Sequence, residues 1–251
     1  MGRGSGTRAR PARPVIFLDD GGVMNDNTRR QRPWEQGVAA FFAPRFGGEP
    51  AAWERANRSA AGAIFAEWDG WLARHRDADY HDFQRVHARE WLGRMLDLLD
   101  LPRPDDADML RLYAEATAFV TRRVHAAIPG AVAAIRQLRA AGYVLGTASG
   151  EESFALDGYL SAMGVRDYFG AGLYGPDLVG VLKASRGYYE RVFADAAVDP
   201  ADALVVDDGP EPVAWARAAG ARAIRIGDEI GALADLPAFL RVDPGHDAGA
   251  G

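Results

Sequence analysis

Two stretches decide how this chain reads: Val15-Ile-Phe-Leu-Asp-Asp-Gly-Gly22 and Ala203-Leu-Val-Val-Asp-Asp-Gly-Pro210. Each is a short apolar run that stops at Asp-Asp-Gly. Unbroken rather than alternating apolarity suits a strand covered by helices on both faces, as in a parallel sheet. Tyr143-Val-Leu-Gly-Thr147 and Ala221-Arg-Ala-Ile-Arg-Ile226 read as further strands, and Gly170-Ala-Gly-Leu-Tyr174 as a weaker one.

Helical patterns with readable ends lie between these strands. Pro129-Gly130 precedes the run Ala131–Ala141, which closes at Gly142, the start and stop expected of a helix. Ser149-x-x-Glu152 reads as a capping box opening the helix that carries Phe154, Leu156, Tyr159 and Leu160. Ser185 is placed to cap Tyr188–Ala197, and Pro212–Ala219 ends at Gly220. Strands alternating with helices predict an α/β fold with a doubly wound, mainly parallel Rossmann-like sheet.

Residues 30–125 differ. They hold five of the six tryptophans and no convincing strand. Ala51–Trp71, Tyr80–Leu99 and Asp106–Val124 have helical spacing, broken by Leu101-Pro-Arg-Pro104. This is an all-helical cap inserted after the first strand, with Trp68, Trp71, Leu72, Trp91, Leu92 and Met95 read as its core. The expected organisation is a disordered tail at 1–13, a discontinuous core at 14–28 and 126–240, a cap at 29–125, and a flexible tail at 241–251.

The 251 residues are 25% charged and 48% apolar, with a formal charge of −6. A chain of this size buries roughly 75% of its unfolded surface, enough for a core without staples. Zero cysteine excludes thiolate catalysis, Cys-ligated zinc and iron–sulfur clusters. No apolar run approaches the roughly 18 residues that span a bilayer. The basic opening segment is not followed by a signal-length apolar stretch, so the expected location is cytoplasmic. Its four arginines sit in an acidic chain without a basic aromatic platform, so neither a specific nucleic acid nor a membrane is an expected partner.

Of the 29 basic residues only Lys183 is lysine. A lysine that survives among arginines supplies a compact ammonium point charge rather than a planar fork. In open α/β sheets, ligands bind beyond the carboxyl ends of the strands, near the point where strand order reverses. Two Asp-Asp-Gly segments at strand ends would gather four carboxylates on that rim. Charges 4 Å apart at an effective dielectric near 20 repel by about 4 kcal/mol, so one lysine does not balance them. A hard divalent cation such as magnesium would. The bland alternative for either pair alone is ordinary turn chemistry.

With these intervening elements, the residues resemble the haloacid dehalogenase superfamily, in its branch with a helical cap after the first strand. The resemblance runs from Val15 to Ile226. The family's first motif, a hydrophobic strand then Asp-x-Asp-Gly-(Thr or Val), corresponds to Phe17-Leu-Asp-Asp-Gly-Gly-Val23. Its strand ending in Thr or Ser corresponds to Val144-Leu-Gly-Thr147, its lysine to Lys183, and its acidic strand end to Val205-Val-Asp-Asp-Gly209. The resemblance implies a Mg2+-dependent hydrolase of a small phosphorylated substrate, with Asp19 as the nucleophile that becomes an aspartyl phosphate. Asp208, with Asp207 beside it, would hold the metal together with Asp19 and the Gly21 carbonyl. Thr147 and the following amide, of Ala148, would bind the phosphate, and Lys183 would bridge nucleophile and phosphate. Thr147 alternatively reads as a satisfied strand-end residue, and Glu211 either reaches the metal or complements a helix dipole. His75, His81, His87, His125 and His246 lack metal-ligand spacing and read as surface or cap-packing residues.

One departure is serious. Most phosphatases of the family carry a second aspartate two residues after the nucleophile, to protonate the leaving group; here that residue is Gly21. General acid catalysis supplies about 10² to 10⁴ in rate. Three explanations stay open: a substrate whose leaving group departs unprotonated, replacement of the acid by Asp20, Asn25, Asp26 or a cap residue, or a non-catalytic protein that binds a phosphorylated ligand. The family's phosphonate chemistry needs a cap lysine, and this cap has none. Its metal-independent 2-haloacid dehalogenation fits Gly21 but has no use for Asp207-Asp208. Asn25-Asp-Asn-Thr-Arg-Arg30 reads as a hinge, with Arg29 and Arg30 either solvated or facing an anionic substrate.

Overall fold

The computed structural model describes residues 13–75 and 79–242, apart from the side chains of residues 68, 69 and 71–75. The expectation for Trp68, Trp71 and Leu72 therefore lies outside the described residues, as do His75, His246 and nearly all of both tails. Five parallel strands, β1 (Val15–Leu18), β2 (Val144–Ala148), β3 (Leu173–Tyr174), β4 (Ala203–Asp207) and β5 (Arg222–Arg225), form one sheet in the order β3-β2-β1-β4-β5. The chain winds first to one side of β1 and then to the other, so the strand order reverses between β1 and β4. Leu18 pairs in register with Thr147 on one side and Val206 on the other. Both strand-end motifs thus finish at the same level.

Burial explains the continuous apolar runs. Ile16, Phe17 and Leu18 are all fully buried, each such side chain contributing roughly 1.5–3 kcal/mol. Their faces alternate as strand geometry requires: Ile16 and Leu18 pack in one layer, whereas Phe17 joins Val205, Tyr189 and Phe193 in the other.

Four helices follow β1: α1 (Asn27–Phe46), α2 (Pro50–His75), α3 (Tyr80–Leu98) and α4 (Asp106–Thr121). The helical insertion begins two residues before the expected start because Asp26 caps α1, its carboxylate accepting from the amides of Thr28 at 2.9 Å and Arg29 at 3.0 Å. Trp91, Leu92 and Met95 pack in the insertion's own core with Phe42 and Trp53, the rings of the last two stacked 5.2 Å apart. That core also takes in Ala155 and Tyr159 of α6 (Ser153–Ala162), so helical insertion and sheet share a packed boundary.

α5 (Ala131–Ala140) precedes β2, and α7 (Pro176–Val179) and α8 (Arg186–Asp195) separate β3 from β4. α9 (Pro210–Ala218) follows β4, and α10 (Leu236–Val242) closes the described chain. Three local expectations change. Ser149 does not cap α6, which starts at Ser153; its hydroxyl instead accepts from the Glu151 amide at 3.3 Å, and Asp177 accepts from the Ser153 amide at 2.8 Å. Ser185 holds the N-cap position of α8 without a side-chain cap bond. Residues 170–172 lie outside β3, with Gly172 at φ +112, in the left-handed region that favours glycine.

Candidate active site

Asp19 emerges from β1, its amide donating to the Val206 carbonyl at 3.0 Å. Asp207 ends β4. Between them stands Lys183, its Nζ 2.9 Å from Asp19 Oδ1 and 2.6 Å from Asp207 Oδ2. Asp207 also accepts from the Gly209 amide at 2.9 Å. Carboxylate oxygens of Asp19, Asp207 and Asp208 all lie within 4.8 Å of one another. The lone lysine and acids from both strand-end motifs thus meet where the strand order reverses.

Three acids against one lysine leave a net charge of −2 if all are ionised. Burial pulls the Lys183 ammonium down, but Asp19 and Asp207 more than compensate and hold it well above its ordinary range. Burial pushes the Asp207 carboxyl up, against the pull of Lys183. Asp208, exposed at the rim, is also pushed up by partial burial and then by the Asp19 charge. Oxygen donors of this charge fit a hard divalent cation. Close approach of the motifs requires Gly22: it has φ +77, and a Cβ there would collide with the Asp208 carboxylate.

Other expected residues stand differently. Thr147, fully buried, donates its hydroxyl to the Tyr174 carbonyl at 3.2 Å, so in this arrangement the proton expected to meet a phosphate is committed. Ala148 is buried beside it at the end of β2. Glu211 is exposed in the first turn of α9 and stands outside the three-carboxylate cluster. His81 and His125 are exposed. His87 packs in the insertion, stacked on Phe83 at 5.4 Å, and burial pushes it down to about 4.

The candidate replacement acids are occupied elsewhere. Asp20 is fully buried, accepting from Asn25 Nδ2 at 2.7 Å and pairing with Arg30 at 2.9 Å; burial nonetheless pushes it up to about 7. Asp26 caps α1. Arg30 is neither solvated nor free: it bridges Asp20 and Glu151, the latter at 2.9 Å, and lies over the Tyr159 ring. Arg29 is exposed and reaches the Ala127 carbonyl at 3.4 Å.

Sequence reasoning missed the junction around Glu152. This buried carboxyl accepts from Tyr80 Oη at 2.6 Å and Gln84 Nε2 at 2.8 Å, both on α3, and from Tyr113 Oη of α4 at 2.7 Å. Nearby, the Tyr80 amide donates to the Gly180 carbonyl at 3.1 Å, Asp79 bridges to Val181, and Tyr80 and Phe83 pack on Leu182 and Ala184. The helical insertion is therefore fastened to the loop that presents Lys183. Two tyrosines and a glutamine spaced along separate helices offer no local signal of such a partner.

The fold is a parallel α/β sheet whose strand-end aspartates meet around one lysine where the strand order reverses. The family model for haloacid dehalogenase-like hydrolases matches residues 23–220, and the chain belongs to that family. No curated protein matches it. Among solved structures it is similar to an L-2-haloacid dehalogenase from Xanthobacter autotrophicus with chloropropionic acid covalently bound (19% identity, 91% of this chain and 98% of that one, TM-score 0.55). It is similar also to a HAD phosphatase from Thermococcus onnurineus (19%, 90% and 97%, 0.57) and to a 2-haloacid dehalogenase from Pseudomonas syringae pv. Tomato DC3000 (20%, 92% and 99%, 0.58). At these identities the likeness shows the fold. Among the described residues no helix is long and apolar enough to cross a membrane.

Proposed function

We propose that this chain is a Mg2+-dependent phosphoryl hydrolase of the helical-cap branch, acting through an aspartyl phosphate on a small phosphorylated metabolite whose leaving group departs without protonation. The observation that carries this reading is the meeting of Asp19, Asp207 and Asp208 within 4.8 Å around a single lysine. Dehalogenation without a metal gains nothing from Asp208, whose charge adds repulsion of roughly 3 kcal/mol per neighbour at that spacing.

Asp19, Asp207, Asp208 and the Gly21 carbonyl would hold the cation, which when bound offsets charge on the phosphoryl oxygens. Asp19 supplies the attacking oxygen: its bond to phosphorus forms as the bond to the leaving oxygen breaks, and the electron pair departs with that oxygen. Lys183 keeps its proton, fixes the rotamer of Asp19 and faces the transferring group as a point charge. Asp20, Asn25 and Asp26 are each committed to other contacts, which favours a leaving group that needs no proton: an acyl or aryl phosphate, or a diphosphate. Water then attacks phosphorus, the bond to Asp19 breaks, and phosphate leaves.

A second reading, metal-independent dehalogenation of a 2-haloacid, draws on Gly21 standing where a phosphatase would carry its acid. One screen separates them. Phosphate release is measured over alkyl, aryl and acyl phosphates and diphosphates, with Mg2+ and with chelator, beside halide release from 2-haloacids. Mg2+-dependent phosphate release lost in Asp19→Asn supports the proposal. Halide release that survives chelation overturns it, and absence of either turnover points to a binding protein.

A further inference from the structure

We infer that the Asn27 carboxamide stands where a leaving-group acid would act, so that a carboxyl at this position would supply the missing proton, an inference that rests on the phosphoryl-hydrolase reading. A Cβ built on Gly21 would lie 2.6 Å from Asn27 Oδ1, 3.0 Å from Nδ2 and 3.2 Å from Cγ. The Asn27 carboxamide therefore occupies the space into which a side chain at position 21 would project. The residue is exposed at the rim, on the first turn of α1. Its backbone is pinned on the N-terminal side: the Asn25 amide donates to the Asp20 carbonyl at 2.8 Å, and the Asp26 amide to the Ala126 carbonyl at 2.9 Å.

A carboxamide donates a hydrogen bond but has no proton to transfer at neutral pH and accepts none. It can orient a departing oxygen whose negative charge is already tolerable. It cannot rescue an alkoxide, whose departure calls for a general acid worth about 10² to 10⁴ in rate. The same limit acts on the second half-reaction. When water attacks the aspartyl phosphate, its proton must go to solvent, so the phosphoenzyme accumulates and turnover shows a burst.

The test is Asn27→Asp, which changes one atom group without altering volume. The substitution adds an acid to the first turn of α1, which has none, a placement that suits the helix dipole. Wild type and variant are compared in kcat/KM for phenyl-type and alkyl phosphates with Mg2+, in burst amplitude, and in pH profile, with circular dichroism as the check on folding. The expected result is a fall of about tenfold or more in the aryl-to-alkyl ratio, a smaller burst and a new ionisation in the alkyl pH profile. Asn27→Ala, which offers no proton, should show none of these changes. A folded Asn27→Asp with the wild-type ratio, burst and pH profile overturns the inference, as does an equal fall in Asn27→Ala. If the wild type forms neither phosphate nor phosphoenzyme from any of these compounds, the phosphoryl-hydrolase reading itself fails and takes the inference with it.

Discussion

Replacing Glu152 by glutamine tests whether burial or hydrogen bonding governs the junction between the helical insertion and the sheet. Glu152 is 5% exposed and accepts from Tyr80, Gln84 and Tyr113. Burial pushes its carboxyl from 4.5 up to about 7, the three donors opposing that rise. A folded-state value above the unfolded one means the neutral form is favoured on folding. Its stabilising contribution is complete below pH 4.5 and is lost as pH rises through 7. A shift of that size corresponds to about 3 kcal/mol, or roughly 6–12 °C in Tm for a chain of this length. Glu152→Gln stays neutral throughout. Denaturant unfolding of both proteins at pH 4.5 and pH 8 should show the wild type losing about 3 kcal/mol relative to the variant between the two conditions. Shifts shared by both proteins, such as that of Asp20, cancel in the difference. A gap between the two proteins that does not change with pH would mean that donors and burial cancel and Glu152 titrates alike in both states, and a change in the opposite sense would mean that the donors outweigh burial.

Arg30→Met removes the cation from the fully buried Asp20 and from Glu151; leaving a buried charge unpaired costs about 3–5 kcal/mol, read as a Tm drop of roughly 10 °C, and a change within a degree would refute the pairing. Mg2+ titration should raise the wild-type Tm, by about 2.7 kcal/mol of stabilisation at one hundred times Kd. Asp208→Asn should largely abolish that rise without unfolding the protein, because Asp208 is exposed at the rim.

Much of the architecture was readable because it rests on local chemistry. The apolar runs ending at Asp19 and Asp207 marked strands buried on two sides, and the lone Lys183 in a chain of arginines marked its own place beside them. What stayed hidden depends on contacts across the fold. Ser149-x-x-Glu152 has the letters of a capping box, yet the Ser149 hydroxyl turns to the Glu151 amide, the helix starts only at Ser153, and Glu152 faces the helical insertion. Arg30 read as a solvated hinge charge before a substrate-facing one, since nothing nearby in sequence announces Glu151. Asn27 gave no signal because its position over Gly21 is a matter of packing that the spacing of the two residues does not show.

The backbone tie between Tyr80 and Gly180 and the bridge from Asp79 to Val181 join the roof of the crevice to the strap bearing its cation. Lifting α3 away from the sheet would have to break these ties or carry the Lys183 loop with it, and in either case the ammonium group beside Asp19 would lose part of what holds it in place.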